Sequence, residues 1–223
     1  MSNAGTPRTR LKLLAKSEYG GVNRNDPIRF YYWPVFGALY RRRVELALDE
    51  LTPGERVLEI GFGTGVTFPH LHEQFKEIHG LDLTADTARI TAIWKQHGIG
   101  VQLKLGNILE MPYPDNYFDS VLLISILEHL QPAEQAAAFA EIKRVLKPGG
   151  QVVYGVPIER GLMVFMFRVL GYNIREHHFS TEKDVSKAAG GLLQQVNLKQ
   201  MHGSIPGTGA IYEVGHFKKL STP

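Results

Sequence analysis

The chain is predicted to be an α/β protein, a doubly wound and mostly parallel sheet with helices on both faces and a helical cap. Three observations carry this reading. From Arg56 onward short apolar strands alternate with helical segments, the pattern that right-handed crossovers turn into a parallel sheet. Asp119–Ser125 reads as a continuous apolar strand, as expected when helices cover both sheet faces. A strand also runs into a glycine-rich turn, Gly61 to Gly65, and then into a helix, so backbone N–H groups and a helix N-terminus meet where a ligand can approach.

Element by element, residues 1–27 are polar, with Gly20-Gly21, Asn23, Asn25 and Pro27 as breakers, and read as an arm. Residues 28–51 mix aromatics with Ala and Leu and read as a helix, broken near Pro34 and stopped at Thr52-Pro53-Gly54. Arg56–Ile60 is a strand and Phe68–Phe75 a helix with Pro69 in its first turn. Ile78–Leu83 is a strand, and Thr84 is the expected cap of a helix reaching Trp94. Val101, Leu103 and Leu105 alternate as a third strand, Pro112–Tyr117 is a loop, and Asp119–Ser125 is the fourth strand. A helix from Pro132 to Leu146 stops at Lys147-Pro148-Gly149-Gly150, and Gln151–Val156 is the fifth strand. The tail adds an apolar segment (Leu162–Leu170), a helix (Thr181–Ala189) and two weaker strands (Leu192–Met201, Ile211–Lys218).

The 223 residues suit one domain, divided here into a basic arm (1–27) and a domain (28–223) whose cap comes from 28–50 and 157–180. With 43% hydrophobic and 21% charged residues the chain can build a core, and zero cysteines exclude disulfides, thiolate nucleophiles and thiolate metal sites. The net charge of +3 hides an asymmetry: residues 1–43 carry nine Lys/Arg against Glu18 and Asp26. Such an arm is either a solvated segment or a contact for an anionic partner or membrane surface. No run reaches the roughly 20 apolar residues of a spanning helix. Met1–Lys16 lacks the apolar core of a signal peptide, and Ser2-Asn3-Ala4 reads as a tag remnant, so the cytoplasm is the expected compartment.

In Val57–Gly65 the glycines fall at 61, 63 and 65, so the third arrives one residue earlier than in the dinucleotide fingerprint. Glu59 at the strand end would repel a pyrophosphate and suits a ligand carrying an ammonium or sulfonium. Asp82 follows Gly61 by 21 residues, the offset at which an acid on strand two accepts from ribose hydroxyls. Its alternative role is to cap the helix that follows.

The sequence here resembles the class I S-adenosylmethionine-dependent methyltransferases, in the branch that contains quinone-biosynthesis enzymes. The resemblance rests on Val57–Gly65, Gly80–Leu83, Gly106-Asn107-Ile108 followed by Met111–Asp119, Ile126–Leu130 and Glu141–Gly150, in the right order over roughly residues 44–156. It implies a Rossmann-like, seven-stranded sheet. Gly61, Gly63 and Gly65, with Thr64, would cradle the methionine part of the cofactor, and Glu59 would lie near its amino group. Asp82 would hold the ribose and Leu83 would pack on the adenine. Asn107 stands where the family commonly has an Asp that accepts from the adenine amino group, and Ile108 and Ser125 would complete the lining. Phe62 replaces a small residue between the first two glycines and is expected to narrow the site.

On the acceptor side, His129 after strand four is a candidate general base, with anchoring of the next helix as its alternative. Tyr32, within Phe30–Tyr40, is a candidate to touch the sulfonium or the acceptor, with simple packing as its alternative. Metal-binding relatives place extra carboxylates before the Glu-His pair; Ser125 and Ile126 stand there, so no metal is expected. His177-His178 makes a poor metal pair, since adjacent side chains diverge. Leu162–Leu170 is a candidate lid, interfacial anchor or dimer contact.

The expected activity is methyl transfer from S-adenosylmethionine to a small-molecule acceptor, aromatic or lipid-like, at O, N or C. No specific nucleic acid is expected, peripheral membrane contact is compatible with the arm, and a monomer or homodimer is anticipated. The alternatives are a non-catalytic cofactor-binding regulatory module and a nicotinamide-dependent oxidoreductase, which the early third glycine and Glu59 disfavour.

Overall fold

The computed structural model describes residues 9–19, 28–34, 36–158, 179–203 and 209–221. Leu162–Leu170 and His177-His178 lie outside the described residues. The elements are α1 (Ile28–Tyr31), α2 (Phe36–Leu48), β1 (Gly54–Ile60), α3 (Phe68–Gln74), β2 (Phe75–Asp82), α4 (Thr87–Gln96), β3 (Gln102–Leu105), β4 (Phe118–Ile124), α5 (Pro132–Val145), β5 (Leu146–Pro157), α6 (Glu182–Leu192), β6 (Gln194–His202) and β7 (Ala210–Lys218). Pro34 lies between α1 and α2, where a proline denies a continuous helix its backbone N–H.

The seven strands lie in the order β3-β2-β1-β4-β5-β7-β6. The first five run parallel, while β7 is antiparallel to both β5 and β6. From β1 the chain steps to β2 on one side, and later fills β4 on the other. Crossovers therefore leave in opposite directions at the carboxyl ends of β1 and β4, the place where open α/β sheets bind ligands.

Each sheet face has its own core. Val57, Ile78 and Leu122 face Val44, Leu48, Phe68, Leu71, Ile90 and Trp94 on one side. Leu58, Val121, Leu123 and Val152 face Ala138, Phe139, Ile142, Val145 and Val185 on the other. Burial on both faces is why the strands read as apolar runs instead of alternating ones.

The motif pieces around Met111 and Glu141 interlock. Arg144 donates to the carbonyls of Met111 at 2.9 Å and Tyr113 at 2.7 Å, and pairs with Asp115 at 2.9 Å. Glu141 accepts from the Met111 N–H at 2.8 Å. One arginine thus fixes the loop before β4 onto α5, which explains why both segments carry their polar residues.

Two expectations change. The cap of α4 is Asp86, which accepts from the Arg89 N–H at 3.0 Å; Thr84 sits two residues earlier, with its N–H donated to Asp82. The described part of the basic arm is not a freely solvated segment. Leu11, Leu13 and Leu14 pack on the core and Tyr19 is buried. The Thr9, Leu11 and Lys12 N–H groups donate to Asp49, Glu45 and His70 at 2.9, 3.0 and 3.0 Å.

Candidate active site

The glycine turn leaves the end of β1 with left-handed backbone at Gly61 (φ 70°), Gly63 (φ 51°) and Gly65 (φ 72°), a conformation that side chains with a Cβ rarely adopt. The three glycines do different work. A Cβ at Gly61 would lie 2.0 Å from Ile126, just beyond β4, so this glycine lets the two crossover loops meet. A Cβ at Gly65 would lie 2.4 Å from Phe68 and 2.7 Å from the Trp94 indole nitrogen, which donates to the Thr64 carbonyl at 3.0 Å. Gly65 therefore serves packing under the turn. Thr64 itself is buried.

Asp82 locks the turn from the neighbouring strand. Its Oδ2 accepts from the Gly63 N–H at 3.1 Å, and its Oδ1 accepts from Thr84 and Ala85 at 2.9 and 3.0 Å. Asp82 orders the start of the next loop but does not cap α4, a role that falls to Asp86, and its half-buried carboxylate remains at the crevice. Leu83 is 69% exposed, and Leu105, paired in register with Asp82, is 58% exposed. Two uncovered apolar side chains thus stand near the Asp82 carboxylate at this edge of the sheet. Leu105 was not among the residues singled out from the sequence. Asn107 is exposed, its Oδ1 accepting from Leu109 at 3.0 Å, and Ile108 is buried in the core.

Glu59 is 4% exposed and receives the Thr67 hydroxyl, which is thereby diverted from capping α3. Burial, opposed by that hydrogen bond and reinforced by Asp82, pushes its carboxyl up to about 8. A cation placed beside this carboxyl would favour its ionised form.

Phe62 does not narrow the crevice. It is 3% exposed, its ring 6.0 Å from Phe68, and it fills the space left by the missing side chain of Gly80.

The acceptor-side candidates separate. Tyr32 turns to the arm, where its hydroxyl donates to the Leu14 carbonyl. Tyr31 turns instead to Arg43, which donates to it at 3.4 Å and to Ser125 Oγ at 2.9 Å. Ser125 in turn contacts the Tyr212 hydroxyl at 3.1 Å and has a left-handed backbone (φ 57°). His129 is exposed at the end of a 3-10 turn (Leu127–His129). That turn holds structure together: the Glu128 carbonyl accepts from Phe179 and Ser180, and the Leu127 carbonyl accepts from Gln135. Among the described residues no group of three His, Asp or Glu forms a metal cluster. No helix among them is long and apolar enough to cross a membrane.

Residues 58–154 match the family model described as a methyltransferase domain. Over these residues the chain is similar to the methyltransferase domains. Among its relatives is a sterol 24-C-methyltransferase of Gibberella zeae, 33% identical over 62% of this chain and 37% of that one. Another is a ubiquinone/menaquinone biosynthesis C-methyltransferase of Cupriavidus metallidurans, 30% identical over 68% of this chain and 59% of that one. The chain thus spans only part of the curated relatives it matches. In fold it resembles the geranyl diphosphate C-methyltransferase of Streptomyces coelicolor, with a TM-score of 0.66 and 15% identity over 83% of this chain and 81% of that one. The matched segment runs from the second residue of Val57–Gly65 to Tyr154 in β5, so Glu59, the glycine turn, Asp82, Asn107 and Ser125 all lie inside it.

Proposed function

We propose that the chain transfers a methyl group from S-adenosylmethionine to a small-molecule acceptor of aromatic or lipid-like character. The observation that carries this reading is the juxtaposition of buried Glu59 with the Asp82-locked glycine turn at the strand switch point. The residues fit the three parts of that cofactor. Glu59 offers a counter-charge to an ammonium, half-buried Asp82 offers oxygens to ribose hydroxyls, and Leu83 and Leu105 offer an apolar shelf to adenine. Exposed Asn107 stands at the shelf's edge, where its amide can exchange hydrogen bonds with the adenine ring.

When bound, the cofactor supplies an electrophilic methyl group on a sulfonium. The chain's own task is placement. Gly63, fixed by Asp82, sets the floor of the crevice before any ligand arrives, so little ordering remains to be done on binding. Glu59 exchanges its proton for the cofactor's charge. The acceptor enters beside Ser125, at the carboxyl ends of β4 and β5, so an attacking atom faces the methyl group away from bulk water. The chemistry draws on no side-chain nucleophile. Exposed His129 remains the proposed base for acceptors that must lose a proton.

Equilibrium binding of S-adenosylhomocysteine against reduced nicotinamide dinucleotide tests the cofactor. A screen of cell extract with methyl-labelled S-adenosylmethionine, followed by mass analysis of labelled products, tests the transfer. Binding without any labelled product would favour a regulatory module. Absence of a spanning helix among the described residues and of any cysteine supports a reducing, non-membrane compartment, for which we propose the cytoplasm.

A further inference from the structure

Three consecutive arginines close the first half of α2, and the fold treats them differently. Arg41 donates to the Tyr31 carbonyl. Arg42 pairs with Glu45 and Asp49, each at 3.5 Å. Arg43 is half-buried, and among the described residues no carboxylate lies within 4.0 Å of it. Its hydrogen-bond partners are all neutral: Ser125 Oγ at 2.9 Å, the Tyr40 carbonyl at 3.3 Å and the Tyr31 hydroxyl at 3.4 Å. Its guanidinium carbon sits 3.5 Å above the Tyr40 ring, with the rings of Tyr31 and Tyr212 at 5.9 and 6.0 Å.

The tyrosines cannot serve as counter-ions. Burial holds the Tyr212 hydroxyl far above its ordinary range, so it stays a neutral phenol at working pH. A guanidinium has five N–H donors, and three acceptors leave part of the fork unused. A partly desolvated charge whose hydrogen-bond partners are all neutral is costly unless an anion joins it. The place matters as much as the charge. Ser125, bound by Arg43, follows β4 directly and precedes Ile126, whose side chain lies against Gly61 of the glycine turn. Arg43 therefore stands on the acceptor side of the crevice, across Ser125 from the cofactor's floor.

We propose that Arg43, framed by Tyr31, Tyr40 and Tyr212, receives the oxyanion of the methyl acceptor, a carboxylate or phosphate head group, so that the enzyme selects acidic acceptors. This rests on the methyltransferase reading for the word acceptor, but the anion site itself is a property of the fold. The planar fork pairs with either oxyanion in two parallel hydrogen bonds, and the ring faces of the three tyrosines offer an apolar wall to the remainder of the molecule.

The test titrates phenyl phosphate, benzoate and the neutral isostere benzyl alcohol into protein saturated with S-adenosylhomocysteine. At least one anionic probe should bind the wild type, more weakly as salt rises, and the alcohol should not; the two anions tell phosphate from carboxylate. Arg43→Gln should weaken the bound anion about tenfold or more, the loss expected for hydrogen bonds to a charged group, with unchanged affinity for S-adenosylhomocysteine. Because Arg43 also tethers Ser125, Arg43→Lys is the second variant: it keeps the charge, loses the fork, and should show an intermediate loss. Equal binding of the alcohol, binding of neither anion, or folded Arg43 variants with wild-type affinity would each overturn the proposal. If S-adenosylhomocysteine itself fails to bind, the methyltransferase reading falls, and the same titration on the ligand-free protein still decides the anion site.

Discussion

Asp82, at the end of β2, accepts the Gly63 N–H at 3.1 Å across the mouth of the crevice, so one half-buried carboxylate shapes the cradle from the neighbouring strand. Asp82→Ala should weaken S-adenosylmethionine binding by about 2–3 kcal/mol, the range for charge-assisted hydrogen bonds. It should also lower the melting temperature, because the Gly63, Thr84 and Ala85 N–H groups lose their acceptor. Asp82→Asn keeps one acceptor oxygen and should fall between the two in both measurements. Calorimetry with a thermal melt checks this, and unchanged affinity in a folded Asp82→Ala protein would contradict it.

Glu59 should release its proton when a cationic ligand arrives. Burial holds its carboxyl at about 8 against 4.5 in the unfolded chain, so the native state keeps the proton at neutral pH. The sign follows: the contribution to stability is complete below about 4.5 and is lost as pH rises to about 8. Glu59→Gln should flatten that part of the stability profile. Titrating S-adenosylhomocysteine in buffers of different ionisation enthalpy at pH 7 should show close to one proton released by the wild type and none by Glu59→Gln. Equal proton release by both proteins would place the ammonium elsewhere.

Phe62 and Gly80 should behave as a coupled pair. A Cβ at Gly80 would lie 2.6 Å from the Phe62 ring and 2.6 Å from Leu103. Gly80→Ala should therefore cost about 1–3 kcal/mol of stability by overpacking. Phe62→Leu should relieve part of that cost in the double variant. Neither change should raise cofactor affinity, because Phe62 points into the core. Tighter binding by Phe62→Leu would show that the ring obstructs the crevice after all.

The docked arm should come loose in mild acid. His70 accepts the Lys12 N–H at 3.0 Å through Nε2, which requires the neutral ring. Burial, with the nearby Lys12 charge, lowers the histidine below its ordinary 6.5. That stability is present above 6.5 and is lost as pH falls through the lowered native value. Hydrogen exchange of residues 9–14, corrected for the intrinsic rate, should accelerate there, and His70→Gln should remove the pH dependence. An arm equally protected at all pH values would leave His70 without this role.

The strands and the glycine turn were legible because parallel strands covered on both faces concentrate apolar residues, and because Gly61, Gly63 and Gly65 have no substitute at left-handed backbone. Glu59 and Asp82 could be read at fixed offsets from them. The acceptor side could not. Arg43 meets Ser125 across 82 positions of sequence, and an arginine within Arg41-Arg42-Arg43 gives no sign of which member turns inward. Tyr31 and Tyr32 differ by one position yet face Arg43 and Leu14, a choice made by the turn between α1 and α2. Asp86 takes the cap of α4 because it directly precedes the first helical residue, Thr87, while Thr84 lies two residues too early. The arm's Leu11, Leu13 and Leu14 were hidden among basic residues, whose charge suggested solvent.

The most direct measurement is a calorimetric titration of S-adenosylhomocysteine into the wild type and into Gly63→Val, with circular dichroism of both. The expected result is one site per chain in the wild type and no binding in the variant, with its far-ultraviolet spectrum retained, since a branched side chain at φ 51° distorts the cradle and not the sheet. Absence of binding to the wild type, or equal affinity in Gly63→Val, would contradict the assignment of the glycine turn as the cofactor's seat.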